Sequence, residues 1–327
     1  MINLIEAFPS HVDEAIAIAE ATLVKKPNHS VENVVISGLG GSGIGGTIVS
    51  QLLASHLKVP VIINKDYGIP SFVSKNTLFI ASSYSGNTEE TLEALSQAEA
   101  KGAEICVVTS GGQLKAMAES KEFNRFVIPS GFPPRAAFGY SSIQLFYALA
   151  GYGMVQGDFK SELKRVSTLL KSEHDHIVSE AKSIAAKLYK TIPIIYSEAG
   201  FEGVGVRFRQ QINENAKMLC WHHVLPEMNH NELVGWADSY PQSCVVVFRN
   251  QGDYYRTQER MKYSYGLIGE NTKEIIEIWS KGTSRIEQAY YAIHLGDFVS
   301  VFLADLKQID PVQVDVITGL KDHLSKI

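Results

Sequence analysis

Val34-Val35-Ile36-Ser37-Gly38-Leu39-Gly40-Gly41-Ser42-Gly43-Ile44-Gly45-Gly46 is the stretch that decides the fold: a short β-branched run that ends in glycines and opens into an apolar segment. A fully apolar strand, a glycine-rich turn and a helix together make the repeating unit of a parallel α/β sheet. The free N–H groups at such a helix start, with the helix dipole behind them, favour an anion. The spacing Gly38-x-Gly40-x-x-Gly43 matches the dinucleotide fingerprint, and Asp66 follows the next strand where a ribose-binding acid would stand. A nucleoside triphosphate fits less well, because Gly41 and Gly46 have the Walker separation but Thr47 occupies the lysine position. The same glycines would also serve close helix–strand packing with no ligand at all.

Outward from this stretch, the pattern repeats. Strands are expected at 33–37, 59–64, 77–82, 104–109 and 125–129, with helices at 44–56, 87–101, 113–120 and 136–151. A polar helical stretch at 158–189 follows Gly151-Tyr152-Gly153. Strand-like runs then recur at 192–197, 244–249 and 274–279, separated by helices at 203–219, 253–268 and 284–306. The expected architecture is α/β: two doubly wound parallel-sheet domains, each a three-layer αβα sandwich, spanning 1–153 and 154–327, the second the smaller. At 327 residues the chain is long enough for two separate cores.

Thirty Lys and Arg against 35 Asp and Glu give a formal charge of −5, with no basic tract to neutralise a phosphate backbone, so nucleic acid is not an expected partner. Cys106, Cys220 and Cys244 are scattered among apolar and aromatic neighbours and read as packing residues in a reducing compartment. Met1-Ile2-Asn3-Leu4-Ile5-Glu6 has no basic flank or apolar core of a signal peptide, and no apolar run reaches the length of about 18 residues that a membrane span needs. The expectation is a cytoplasmic protein with no membrane partner.

A second loop narrows the choice of ligand. In Ala81-Ser82-Ser83-Tyr84-Ser85-Gly86-Asn87-Thr88-Glu89-Glu90, another strand ends in hydroxyls and a glycine before another helix. Asn87 with Glu90 would form a capping box, for which one polar side chain suffices, whereas Ser83, Ser85 and Thr88 offer three hydroxyls. Two such loops at the carboxyl ends of strands in one parallel sheet face one crevice. A compact dianion such as a sugar phosphate needs several directed donors and no lysine. The pair resembles the phosphate site of the sugar isomerase (SIS) domain, which carries the pattern S-x-S-G-x-T-x-E.

Moving a proton between C1 and C2 of a phosphorylated sugar needs a base, a group that opens the ring, and a cation or donors for the enediolate oxygen; it requires no metal and no redox cofactor. The segment Arg207 to Lys217 places Phe208, Ile212 and Ala216 on one helix face and Arg207, Gln210, Glu214 and Lys217 on the other, which by itself reads as a solvated face. The run Cys220 to Glu232 is dense in His and Glu but has no metal-site spacing, and Pro226 interrupts it. No metal site is expected.

Together, Asn213-Glu214-Asn215-x-Lys217, Pro226-Glu227-Met228-Asn229-His230-Asn231-Glu232, Pro133-Pro134-Arg135-Ala136-Ala137-Phe138-Gly139 and Asp305-Leu306-Lys307-x-x-Asp310-Pro311 resemble the bifunctional phosphoglucose/phosphomannose isomerase family, from Gly38 to Pro311. The resemblance implies interconversion of glucose 6-phosphate, and mannose 6-phosphate, with fructose 6-phosphate through a cis-enediol. It implies that Gly41, Ser42, Ser83, Ser85 and Thr88 hold the phosphate, that Glu214 transfers the proton and that Arg135 stabilises the enediolate. His230 and Lys307 would assist ring opening, the histidine coming from the other subunit of a homodimer. The family has a threonine at the position of Ser300, associated with room for the C2 epimer. Serine keeps the hydroxyl without the methyl, and a back-bond within its helix would equally account for it. A non-catalytic sugar-phosphate sensor and a dinucleotide oxidoreductase are the alternatives. Against the sensor, the residues before the first strand are too few and too acidic for a helix-turn-helix arm.

Overall fold

The computed structural model describes residues 1–27 and 29–326. It divides into two compact units: Glu6–Ser172 with Lys281–Tyr291, and Met1–Ile5 with Glu173–Ser280 and Ala292–Ile327. The first unit runs past residue 153 because the helix Phe159–Ser172 packs against Phe8–Ala21 of that unit.

In the first unit, strands β1 (Asn33–Ser37), β2 (Val61–Asn64), β3 (Thr77–Ser82), β4 (Glu104–Thr109) and β5 (Asn124–Val127) form one sheet in the order β2-β1-β3-β4-β5. Every pairing is parallel. Val34, Val35, Ile36, Leu78, Phe79 and Ile80 are fully buried, which explains why β1 and β3 read as continuous apolar runs: helices cover both faces of the sheet. The chain runs from β1 out to β2 and then back past β1 to β3, so the strand order reverses between β1 and β3, the point at which open α/β sheets bind ligands.

The second unit repeats the plan with four strands. These are β6 (Ile192–Glu198), β7 (Trp221–Leu225), β8 (Ser243–Arg249) and β9 (Ile275–Trp279), all parallel in the order β7-β6-β8-β9. Both units are therefore α/β with parallel sheets, as the alternation of strands and helices implied. The strand β7 was not expected: it lies at the sheet edge, and its Trp221, His222 and His223 do not make an apolar run. The polar helical stretch expected at 158–189 consists of two helices, Phe159–Ser172 and His174–Leu188. Further helices lie at Ile2–Glu6 and Phe8–Ala21 before the first strand and at Asp315–Leu324 after Arg285–Leu306. No helix among the described residues is long and apolar enough to cross a membrane.

The core of the second unit holds a titratable group that folding keeps uncharged. His294, in the helix Arg285–Leu306, is fully buried against Phe298, with ring centroids 4.9 Å apart. Burial, with nearby His174 as a lesser cause, pushes its pKa down to about 3 from an ordinary 6.5. Between those values the unfolded chain takes up the proton more readily than the folded one, so stability is lost as the pH falls through this window. Urea titrations at pH 6.5, 5.5 and 4.5 should show the wild type losing about 1.4 kcal/mol more per pH unit than His294→Gln. Parallel pH profiles would refute this origin of acid sensitivity.

Candidate active site

The glycine loop is shaped by atoms that leave no space for a side chain. A Cβ on Gly43 would lie 2.2 Å from the Gly38 carbonyl oxygen, and one on Gly38 would lie 2.6 Å from the Ser82 carbonyl oxygen at the end of β3. Packing is thus one reason for these glycines, and it brings the loop after β1 against the end of the neighbouring strand. Leu39, in extended backbone, precedes the helix Gly40–Leu52, which begins four residues earlier than expected, within the glycines themselves. Its first turn contains Ser42, buried, whose Oγ accepts the backbone N–H of Tyr84 at 3.2 Å.

The hydroxyl loop follows β3. Ser83 is buried, and its Oγ lies 2.7 Å from Thr88 Oγ1 and accepts the Gly86 N–H at 3.2 Å. Ser85 is exposed, and its Oγ accepts the Asn87 N–H at 3.2 Å. Gly86 takes φ +69°, and a Cβ there would stand 1.8 Å from the Gly111 carbonyl oxygen. The capping box expected of Asn87 and Glu90 does not form. Thr88 is the N-cap of the helix Glu89–Ala100, and Asn87 Oδ1 accepts the N–H of Gln113 at 3.0 Å instead. Because β1 and β3 are adjacent and parallel, both loops open at the same sheet edge, each at the start of a helix.

Arg135 lies in the 3-10 helix Pro134–Ala137 beyond β5 and is buried. The carbonyl oxygen of Pro134 and the Cα of Arg135 lie 3.2 and 3.4 Å from where a Cβ of Gly41 would be, so this segment rests directly on the glycine loop. Gly41, Ser42, Ser83, Ser85, Thr88 and Arg135 thus occupy neighbouring segments of the first unit. Asp66, which a dinucleotide reading would use, is exposed beyond β2, and its Oδ1 accepts the Tyr67 N–H at 2.7 Å.

The second unit holds the other candidates. Glu214 is half-buried in the last turn of the helix Glu202–Ala216. That helix ends at Lys217, with φ +49°, whose Nζ donates to the carbonyls of Glu214 at 2.8 Å and Asp310 at 2.7 Å. Lys307 Nζ donates to the carbonyls of Ala216 at 2.7 Å and Lys217 at 3.0 Å. Two ammonium groups therefore satisfy the carbonyl end of the helix that carries Glu214, where cations are favoured. Ser300 is fully buried; its hydroxyl donates to the Asp297 carbonyl three residues earlier at 2.7 Å and accepts Asn215 Nδ2–H at 2.9 Å, beside Glu214 in sequence.

At Arg207 the polar side of this helix is not the solvated face its spacing suggested, whereas Lys217 is exposed and Gln210 and Glu214 are half-buried. Arg207 is buried and pairs with Asp297 at 2.6 Å, and Gln211 donates to the same carboxylate at 2.9 Å. Burial pushes the Asp297 carboxyl above its ordinary pKa, against the opposing pull of Arg207 and Gln211. His230 is exposed on the 3-10 helix Glu227–His230 that follows β7. The alternation of β7 sends His222 and His223 to opposite faces, and His222 Nε2 lies 3.6 Å from Glu202. Cys106 and Cys244 are buried and Cys220 half-buried; burial pushes the Cys220 thiol up to about 12 and that of Cys244 to about 11.

Comparison with known proteins bears on both units. Residues 29–129 match the SIS domain, and residues 177–324 match the bacterial phospho-glucose isomerase C-terminal SIS domain. The bifunctional phosphoglucose/phosphomannose isomerase of Caldicellulosiruptor bescii is 38% identical over all of this chain and 99% of its own. That of Thermoplasma volcanium is 36% identical over 90% of this chain and 92% of its own. Among solved structures, the C-terminal domain of glucosamine-fructose-6-phosphate aminotransferase from Francisella tularensis shares the fold, with TM-score 0.78, 14% identity and coverage of 96% of this chain and 98% of its own. Full-length similarity at this level, over both units and all the quoted motifs, shows that the chain belongs to the bifunctional phosphoglucose/phosphomannose isomerase family.

Proposed function

We propose that this protein is an aldose–ketose isomerase that interconverts glucose 6-phosphate and mannose 6-phosphate with fructose 6-phosphate by proton transfer through a cis-enediol. The observation that carries this reading is the pairing of a glycine loop and a hydroxyl loop at the reversal of strand order, with Arg135 against Gly41. Ser42, Ser83, Ser85 and Thr88 supply hydroxyl donors, and two helix starts supply amides and dipoles, for one phosphate dianion.

Glu214 takes the proton from one carbon and returns it to the other, while Arg135 carries the permanent positive charge that stabilises the enediolate oxygen. Lys307 directs two N–H groups to backbone carbonyls, and its third donor serves the ring oxygen during opening. His230 shares that step from the second subunit of a homodimer. Ser300 acts through Asn215, setting the floor beneath the C2 substituent. Proton transfer between adjacent carbons leaves the overall redox state of the molecule unchanged, so a nicotinamide has no step to perform, and Arg135 supplies the positive charge for the enediolate oxygen that a metal would otherwise bring.

Purified protein incubated with fructose 6-phosphate should form both aldose phosphates, and absence of both products would sink the proposal. Glu214→Gln should lower kcat about 10²–10⁴-fold while fructose 6-phosphate binding, measured by calorimetry, stays nearly unchanged. Turnover close to wild type would acquit Glu214. Ser83→Ala should weaken binding by about 1.5–3 kcal/mol, read as a KM increase of roughly 10- to 150-fold at similar kcat; unchanged KM would remove Ser83 from the phosphate site.

A further inference from the structure

We propose that Tyr84 is a positioning residue that fastens the phosphate loops to the Arg135 segment, so that the cation for the enediolate is held in place by the loops that grip the phosphate; this rests on the isomerase reading above. Tyr84 stands between Ser83 and Ser85 yet is itself buried. Each of its polar groups binds a different loop. Its N–H donates to Ser42 Oγ at 3.2 Å, in the loop after β1. Its carbonyl accepts from Ser110 Oγ at 2.6 Å and from the Ser110 N–H at 3.0 Å, in the loop after β4. Its hydroxyl accepts the Phe132 N–H at 2.8 Å, in the loop after β5.

The next three residues make that last bond matter. Phe132 is followed by Pro133-Pro134-Arg135, and proline fixes φ near about −65°; Pro133 has φ −56°. With the Phe132 N–H pinned and two successive φ angles locked, little slack is left before Arg135. The other end of the segment is seated on Gly41. The Phe132 ring is held separately, by His11 at 5.3 Å and Tyr140 at 5.6 Å between centroids. Loss of the Tyr84 hydroxyl therefore frees the backbone at Phe132 without emptying the ring's site, and it leaves the bonds from the Tyr84 backbone to Ser42 and Ser110 intact.

The consequence is a selective loss. Phosphate binding depends on the backbone of this loop and its serines, whereas charge stabilisation depends on where Arg135 stands to within about 1 Å. Tyr84→Phe should lower kcat for fructose 6-phosphate about tenfold, while KM and the inhibition constant of inorganic phosphate stay within about twofold. In an Arg135→Ala background, with residual turnover followed by NMR as exchange of substrate hydrogen with D2O, the same change should cost nothing further. Pro133→Gly keeps the hydrogen bond but returns rotational freedom, and it should reproduce the kcat loss, which keeps the test available should Tyr84→Phe fold poorly. Additive losses in the double variant, wild-type kinetics in either single variant, or a weaker phosphate inhibition constant with unchanged kcat would each overturn the assignment. A wild type inert toward fructose 6-phosphate would retire the isomerase reading and Tyr84 with it, whereas an active wild type with additive losses would retire Tyr84 alone.

Discussion

The contact between the loop after β1 and the end of β3 is the constraint on which the first unit turns. Adjacent parallel strands lie about 4.8 Å apart, so the helices that follow them can converge on one small ligand only if their starting loops approach backbone to backbone. Here that approach leaves 2.6 Å between the Ser82 carbonyl oxygen and a would-be Cβ of Gly38, while within the glycine loop itself 2.2 Å separates the Gly38 carbonyl oxygen from one on Gly43. A larger residue at Gly38 would push its loop off the end of β3, and one at Gly43 would collide with the turn of its own loop. Packing alone demands these glycines, and on the proposed reading the same close approach also sets the ligand geometry.

A different economy governs the second unit. Its sheet has the same parallel, doubly wound plan without, among the described residues, a comparable pair of glycine and hydroxyl loops, and one set of its buried polar groups is gathered on the helix Glu202–Ala216. Arg207 and Gln211 hold Asp297, Asn215 holds Ser300, and Lys217 and Lys307 occupy the carbonyl end. A buried ion pair seldom adds net stability over apolar packing, but it does fix geometry, because breaking one partner leaves a charge in a low-dielectric interior. Each of these bonds links the Glu214 helix to residues about 85–95 positions away or nearly so, and so fixes the rotation and the end point of that helix.

How much of this was legible depended on the range of the interaction. The central strands β1, β3 and β4 have the bounds their apolar runs implied, since burial on both faces leaves no polar alternation to misread. The edge strand β7 escaped notice because an exposed Trp221 and the half-buried His222 and His223 suffice at an edge. Arg207 was misjudged for a related reason. Helical spacing separates its side from the apolar side, but the partner that buries it, Asp297, belongs to another helix 90 residues on. The Asn87–Glu90 box failed locally: Asn87 is drawn to the Gln113 N–H, a bond across two loops that no short-range rule contains. Tyr84 was visible only as an aromatic among hydroxyls, and the signal that marks it, a ring set between two serines of a phosphate motif, acquires meaning once the Phe132 N–H is seen on its oxygen.

The pairing of Ser83 with Thr88 bears on why a loop of hydroxyls can replace a lysine. Their oxygens lie 2.7 Å apart and the Gly86 N–H also points at Ser83, so neither hydroxyl is left unsatisfied. A hydroxyl rotates, so one O–H can leave its neighbour for a phosphate oxygen without moving a heavy atom, and it exchanges a neutral hydrogen bond for a charge-assisted one about twice as strong. A lysine would bring a full charge on a flexible stem that must be ordered on binding, at a side-chain entropy cost of about 1.5–2 kcal/mol. Short hydroxyls on a loop already fixed by Gly86 and Tyr84 incur little of that cost. On the proposed reading a net charge of −5 is no obstacle to holding a dianion, because the attraction is assigned to donors aimed over a few ångströms and to two helix starts, not to the field of the whole surface.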